Sequence, residues 1–152
     1  MTRVKGFTLI ELIVTIAIAA ILFGVAIPSF QSVSRNNAVK ATANDLVSTI
    51  NAARQQSIST RSSVQIKPAA GGWGDGWTLD YADNTVEEDA DFTPKNKVSV
   101  DRTKGSGALV FLSRGGIDGG EAEFTVSHDN AGTASQTFCV SFFGKVTSGE
   151  CS

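Results

Sequence analysis

At 152 residues the chain has room for one hydrophobic core and an appendage, not for two full domains. Its composition, 41% hydrophobic and 18% charged, is that of a folded protein, yet the apolar residues crowd into the first thirty positions. The formal charge of −2 becomes −4 if a segment carrying the two cations Arg3 and Lys5 is removed, which excludes a general basic footprint for nucleic acid and leaves room only for a local patch.

The chain opens with Met1-Thr2-Arg3-Val4-Lys5-Gly6, basic and without an acid, followed by an apolar run from Phe7 to Ile27. About twenty apolar residues suffice for a helix to cross a hydrocarbon core. The cations ahead of it hold that end in the cytoplasm and send everything after Pro28 across the membrane. A cleaved secretory signal is the rival reading, because Ala17-Ile18-Ala19 has the small-residue pattern of its cleavage site. Against it, Glu11 interrupts the apolar run, and the run continues past those alanines to Ile27.

Glu11 needs a reason, since a carboxylate within the bilayer costs ~2.5 kcal/mol or more. The rest of the run holds no Lys, Arg or His. A cationic partner then comes from another chain or from a newly exposed α-amine. The alternative is a glutamate at the helix N-terminus, favoured by the macrodipole and hydrated at the interface. On the residues alone the two readings stand level.

Beyond Pro28 the pattern turns amphipathic, with Val39, Ala43, Leu46, Val47, Ile50, Ala53 and Ile58 at spacings of three and four. Pro28 removes a backbone donor and, with Gly24, marks a kink or flexible point that does not end the axis. A helix from Phe7 to about Ile58 would be ~78 Å long. From Ser62 the period shifts to two: Val64–Ile66, Trp77–Tyr81, Val98–Val100, Ala108–Leu112, Glu123–Ser127 and Phe138–Phe142 read as strands. Turn residues separate them at Gly71-Gly72, Asp83-Asn84, Gly105–Gly107, Gly115-Gly116, Gly119-Gly120 and Asp129–Gly132. Strands after one long helix, with no helices between them, predict an α+β fold with an antiparallel sheet packed on that helix.

Cys139 and Cys151 are too few for a four-cysteine zinc site and too far apart for a redox CxxC. One disulfide, worth about 2–4 kcal/mol and requiring an oxidising compartment, is the simplest reading; two buried free thiols are the other. His128 is the single histidine and sits beside the turn-forming Asp129-Asn130, which reads as a solvated turn and leaves no constellation for an enzyme. No phosphate-binding glycine loop appears, and no metal or cofactor is implied. Glu87, Glu88, Asp89 and Asp91 lack the spacing of a calcium loop and read as an exposed charged segment. Trp73 and Trp77 read as packing residues, with stacking on a partner as the alternative.

Gly6-Phe7-Thr8-Leu9-Ile10-Glu11 resembles the class III signal of type IV pilins and pseudopilins: a basic leader ending in Gly, then Phe, then Glu at the fifth mature position. The resemblance implies cleavage between Gly6 and Phe7 by prepilin peptidase, N-methylation of Phe7, and pairing of Glu11 with the N-terminus of a neighbouring subunit. Trp73-Gly74-Asp75-Gly76-Trp77 and the stretch from Phe138 to Val146 are similar to the head of the GspH/FimT family, and Ala26–Phe30 is most like its FimU and FimT type minor pilins. A pilin fold is therefore expected, with leader 1–6, membrane or filament-core helix 7–29, amphipathic half 30–60 and β-rich head 61–152. Other pilins, packed through their N-terminal helices, and the inner membrane are the implied partners. The implied course runs from inner membrane, with the head in the periplasm, to the pilus filament. The expected function is that of a structural minor pilin, with a type II secretion pseudopilin or a DNA-binding pilin for transformation as alternatives. For DNA, Lys145 matches a basic position of FimT-like receptors and Arg114 is a second candidate, whereas Thr147 replaces a basic residue and Glu150 adds negative charge.

Overall fold

A computed structural model of the chain describes residues 7–81, 90–94, 96–130 and 132–152. In order these form α1 (Leu9–Thr60), β1 (Val64–Ala69), β2 (Gly72–Asp80), β3 (Ala90–Phe92), β4 (Val98–Lys104), β5 (Leu109–Phe111), β6 (Ala122–His128), β7 (Gln136–Val140) and β8 (Val146–Ser148). The chain divides into two units, Met1–Ser34 and Arg35–Ser152, and α1 contributes to both.

In the first unit α1 is apolar all round and exposed. Phe7 is 82% exposed, and side chains from Leu9 to Val33 stand in the open on every face. It is a helix long and apolar enough to cross a membrane. The helical assignment runs through Gly24 and Pro28 without a break.

In the second unit the same helix is amphipathic. Val39, Ala43, Leu46, Ile50, Ala53 and Ser57 are fully buried, a stripe stepping by four and three along one face. Ser57 fits there because its hydroxyl donates to the Arg54 carbonyl at 2.8 Å, so nothing polar is left unpaired. Ile58, expected on the stripe, is instead 47% exposed: the period places Ser57, not Ile58, against the sheets. The helix ends at Arg61, whose φ of 53° turns the chain out of the helical path and into β1.

The strands form two antiparallel four-stranded sheets, β3-β2-β1-β5 and β4-β6-β7-β8, where the sequence pattern suggested one. The core is a single cluster built from the α1 stripe and the inward residues of both sheets. Burial alternates in period two along the buried parts of β1, β4, β5 and β6, as in Ala122, Phe124 and Val126 of β6. An aromatic pair joins the layers. Trp73 of one sheet meets Phe124 of the other edge-on at 4.9 Å, and within its own sheet Phe124 stacks on its cross-strand partner Phe138 at 5.6 Å.

The Trp73–Trp77 stretch lies within β2, and both indoles are buried as packing residues. Trp77 Nε1 donates to Thr49 Oγ1 on α1 at 3.2 Å and its ring stacks on Phe92 of β3. Gly76, between them, has φ 130°, and a Cβ there would lie 2.4 Å from the Phe92 carbonyl oxygen. The glycine therefore lets β3 lie against β2, in the register that pairs Trp77 with Phe92.

Several strand expectations need correction. β3 and β8 were not foreseen, being three residues each with no room for a period to show. The strand expected over Phe138–Phe142 stops at Val140, and Ser141 to Gly144 form a turn closed by Gly144 N–H donating to the Ser141 carbonyl at 2.7 Å. The expected leader, the Asp83-Asn84 turn, Glu87, Glu88, Asp89 and Ala131 lie outside the described residues. Asp91 falls in β3 and accepts the Thr78 hydroxyl at 2.6 Å.

Candidate functional site

The N-terminal site is built on the first turn of α1. Thr8 caps it: its Oγ1 accepts the Glu11 backbone N–H at 3.3 Å, and its carbonyl accepts the Leu12 N–H at 3.2 Å. Thr8-Leu9-Ile10-Glu11 has the spacing of a capping box, a signal the sequence carried and the reading above did not use. The cap fixes where the helix begins, two residues after the expected cut, and places Glu11 in its first turn, where the macrodipole favours an anion. The Glu11 side chain is exposed and makes no ion pair among the described residues. Gly6 lies outside them.

The second feature is the C-terminal clasp. Cys139 on β7 and Cys151 form a disulfide with their Cα atoms 5.0 Å apart. Glu123, directly across from Cys139 in the β6–β7 register, accepts the Cys151 backbone N–H at 2.8 Å and the Thr103 hydroxyl at 2.6 Å. The Thr103 bond first, then the Cys151 amide, with Lys104 adding its charge, hold the Glu123 carboxyl below the usual carboxylate range. Glu121, Cys139 and Cys151 bring an oxygen and two sulfurs within 4.8 Å of one another. They do not suit a metal, because the sulfurs are bonded to each other and Glu121 is paired with Lys104 at 2.9 Å.

The third feature is a pair of turns that brings the expected DNA residues to one place. Arg114 lies in the turn after β5, closed by Gly115 N–H donating to Leu112 O at 2.7 Å. Lys145 follows the β7–β8 turn, whose Ser141 N–H donates to the Lys145 carbonyl at 2.9 Å. Ile117 N–H donates to Phe142 O at 3.0 Å and joins the two turns. Gly144, at φ 72°, passes so close to the Gly115 carbonyl that a Cβ would sit 2.3 Å from that oxygen. Arg54 of α1 seals the junction, with Nε donating to the same Gly115 oxygen at 3.2 Å. The sequence reading missed Arg54, and only tertiary contact reveals its place.

Elsewhere His128 ends β6, and its Nδ1 accepts the Asn130 backbone N–H at 3.0 Å, a local turn bond. Arg102, also missed, donates from Nη1 to the carbonyls of Ser106, Gly107 and Ala108 and lies 5.9 Å from the Phe124 ring centroid. Burial lowers its pKa.

Two family descriptions match the chain. The prokaryotic N-terminal methylation motif covers residues 1–27, and type II transport protein GspH covers residues 42–144. The chain belongs to the GspH family. Its N-terminal motif and its fold, a long helix packed on antiparallel sheets, are those of a type IV pilin-like protein. Among solved structures, this GspH-family chain is similar to the type IV minor pilin FimU of Pseudomonas aeruginosa, with a TM-score of 0.63 and 16% identity over 75% of this chain and 90% of that one. A second crystal form of FimU matches with a TM-score of 0.59 and 14% identity, over 73% and 92%. The minor pseudopilin EpsH from the type 2 secretion system of Vibrio cholerae matches with a TM-score of 0.56 and 11% identity, over 72% and 94%. At these identities the likeness shows the fold. No curated protein matches the sequence.

Proposed function

We propose that the chain is a structural minor pilin of a type IV pilus, made as a precursor, cut between Gly6 and Phe7, and packed into the filament through its N-terminal helix. One observation carries this reading: a Thr8-capped helix presents Glu11, without an ion-pair partner among the described residues, at the head of an apolar surface that is exposed on every face. A soluble protein does not leave such a surface open. In a membrane the lipid covers it; in a filament the helices of neighbours do, and the α-amine released at Phe7 of one subunit supplies the cation that Glu11 of the next one lacks. The precursor is on this reading a single-pass inner-membrane protein with its head in the periplasm, and prepilin peptidase acts on it before assembly. Glu11→Ala is expected to leave cleavage intact and to lower recovery of the subunit in sheared filaments about tenfold, from loss of a pair worth ~1.5 kcal/mol or more. Unchanged recovery contradicts the pairing.

The GspH description and the EpsH likeness favour a second setting for the same role, a type II secretion pseudopilus. Deleting the gene separates the two: loss of surface pili supports the first setting and loss of protein secretion with normal pili supports the second. A DNA-binding role is favoured by one observation, the placement of Arg114 and Lys145 on adjoining turns with Arg54. A gel-shift titration of the full chain in detergent, run against salt, tests it. Affinity that falls steeply with salt and falls again in Lys145→Ala supports binding; no shift at low salt removes it.

A further inference from the structure

The described head, from Arg35 onward, leaves four large hydrophobic side chains exposed, and they lie on two adjoining turns and the helix end beside them. They are Ile58 (47%), Leu112 (42%), Phe142 (54%) and Phe143 (74%). Ile58 overhangs the turn after β5, where a Cβ on Gly115 would come within 2.6 Å of its Cδ1. Leu112 opens that turn, and Phe142 is tied to it through the Ile117 N–H. Phe143 packs edge-on against Phe142 with centroids 5.6 Å apart. An exposed apolar cluster costs solubility and is retained where something covers it.

Its rim is cationic. Arg114 lies in the turn that Leu112 opens, Lys145 follows the turn that carries Phe142 and Phe143, and Arg54 reaches the Gly115 carbonyl between them; none of the three forms an ion pair among the described residues, where the pairs are Lys67–Asp80 and Lys104–Glu121. Aromatic side chains and arginines around a small apolar centre have the composition of an interface hot spot. The apolar members decide between classes of partner. Two phenyl rings at 83° to each other offer no parallel platform for successive bases, and Ile58 and Leu112 have nothing to gain from a phosphate backbone. They call for an apolar surface, and the cations call for carboxylates around it.

From the Phe142–Phe143 turn and its three unpaired cations we infer a docking site for the head of another pilin-type subunit, one that presents an apolar patch rimmed by Asp or Glu. The inference rests on the pilin reading above and adds a head-to-head contact to helix packing. Both phenylalanines are exposed, so replacing them leaves the core intact.

The test places a photo-crosslinking p-benzoylphenylalanine at Phe143 of the full chain in cells, with a second probe at Leu22 on the apolar helix. The expected product at Phe143 is a crosslink to the head of a chain that itself carries a Gly-Phe leader junction and a Glu at mature position five, at a peptide bearing Asp or Glu. Its yield falls about tenfold in the Arg114→Glu, Lys145→Glu double variant. A Leu22 probe that captures pilins while the Phe143 probe captures none overturns the docking site and leaves the pilin reading standing. Silence at both positions contradicts the pilin reading and the docking site with it. Capture of nucleic acid or lipid at Phe143, or a pilin crosslink indifferent to charge reversal, overturns the inference as well.

Discussion

Two tryptophans four residues apart on one strand, alike in sequence, differ in what their indole nitrogens do. Trp77 donates to Thr49, while Trp73 Nε1 is buried with no acceptor among the described residues. Replacing Trp77 with Phe therefore removes a buried hydrogen bond, leaving Thr49 only its own bond to the Asp45 carbonyl, whereas the same change at Trp73 removes a buried donor that already lacks a partner. Trp77→Phe is expected to lower stability by about 1 kcal/mol more than Trp73→Phe in denaturant titrations. Equal losses would show that Trp73 has an acceptor. Glu123 makes a second prediction at this scale. Its carboxyl titrates below the usual range, so its hold on Thr103 and Cys151 is fully present above the unfolded carboxylate pKa and is lost as pH falls through the depressed folded value. Protection of the Cys151 amide, its exchange measured against the intrinsic rate at each pH, should fall on acidification below about pH 4, while in Glu123→Gln the protection should be lower and unchanged over that range. A wild-type amide unaffected by acid would contradict the clasp.

At the scale of elements, the strongest periodicities carried furthest into the structure. The α1 stripe from Val39 to Ala53 and the alternation in β6 were legible because one face of each is buried and the other is not. Ile58 broke the rule because a hydrophobic residue off the stripe reads the same as one on it until the helix is set against the sheets. The short β3 and β8 were illegible for a different reason: each exists through its neighbour, β3 through the space that Gly76 leaves and β8 through its pairing with β7. The Lys145 and Arg114 candidates were named from sequence, but their common place depends on Gly144 crossing Gly115, a contact between residues 29 positions apart. Gly144→Ala adds a side chain at left-handed φ against a backbone oxygen and is expected to cost at least about 2 kcal/mol, read as a lowered denaturation midpoint. A midpoint within error of the parent would mean that the two turns are not locked.

The whole molecule joins two parts that answer to different solvents. The described residues from Arg35 on fold around one core of their own, and a disulfide ties Cys139 of β7 to Cys151. The described residues before it belong to a helix that is exposed and apolar there, long and apolar enough to cross a membrane. The proposed function gives both parts one explanation, in which cleavage would supply the charge that assembly uses. The same account separates this chain from one with a removable secretory signal, which would discard the apolar helix. Intact mass and N-terminal sequencing of the subunit from sheared filaments test this most directly. The expected mature chain begins at N-methylated Phe7 and retains Glu11 and the whole apolar run; a chain that keeps residues 1–6, or one that begins after Ala19, contradicts it.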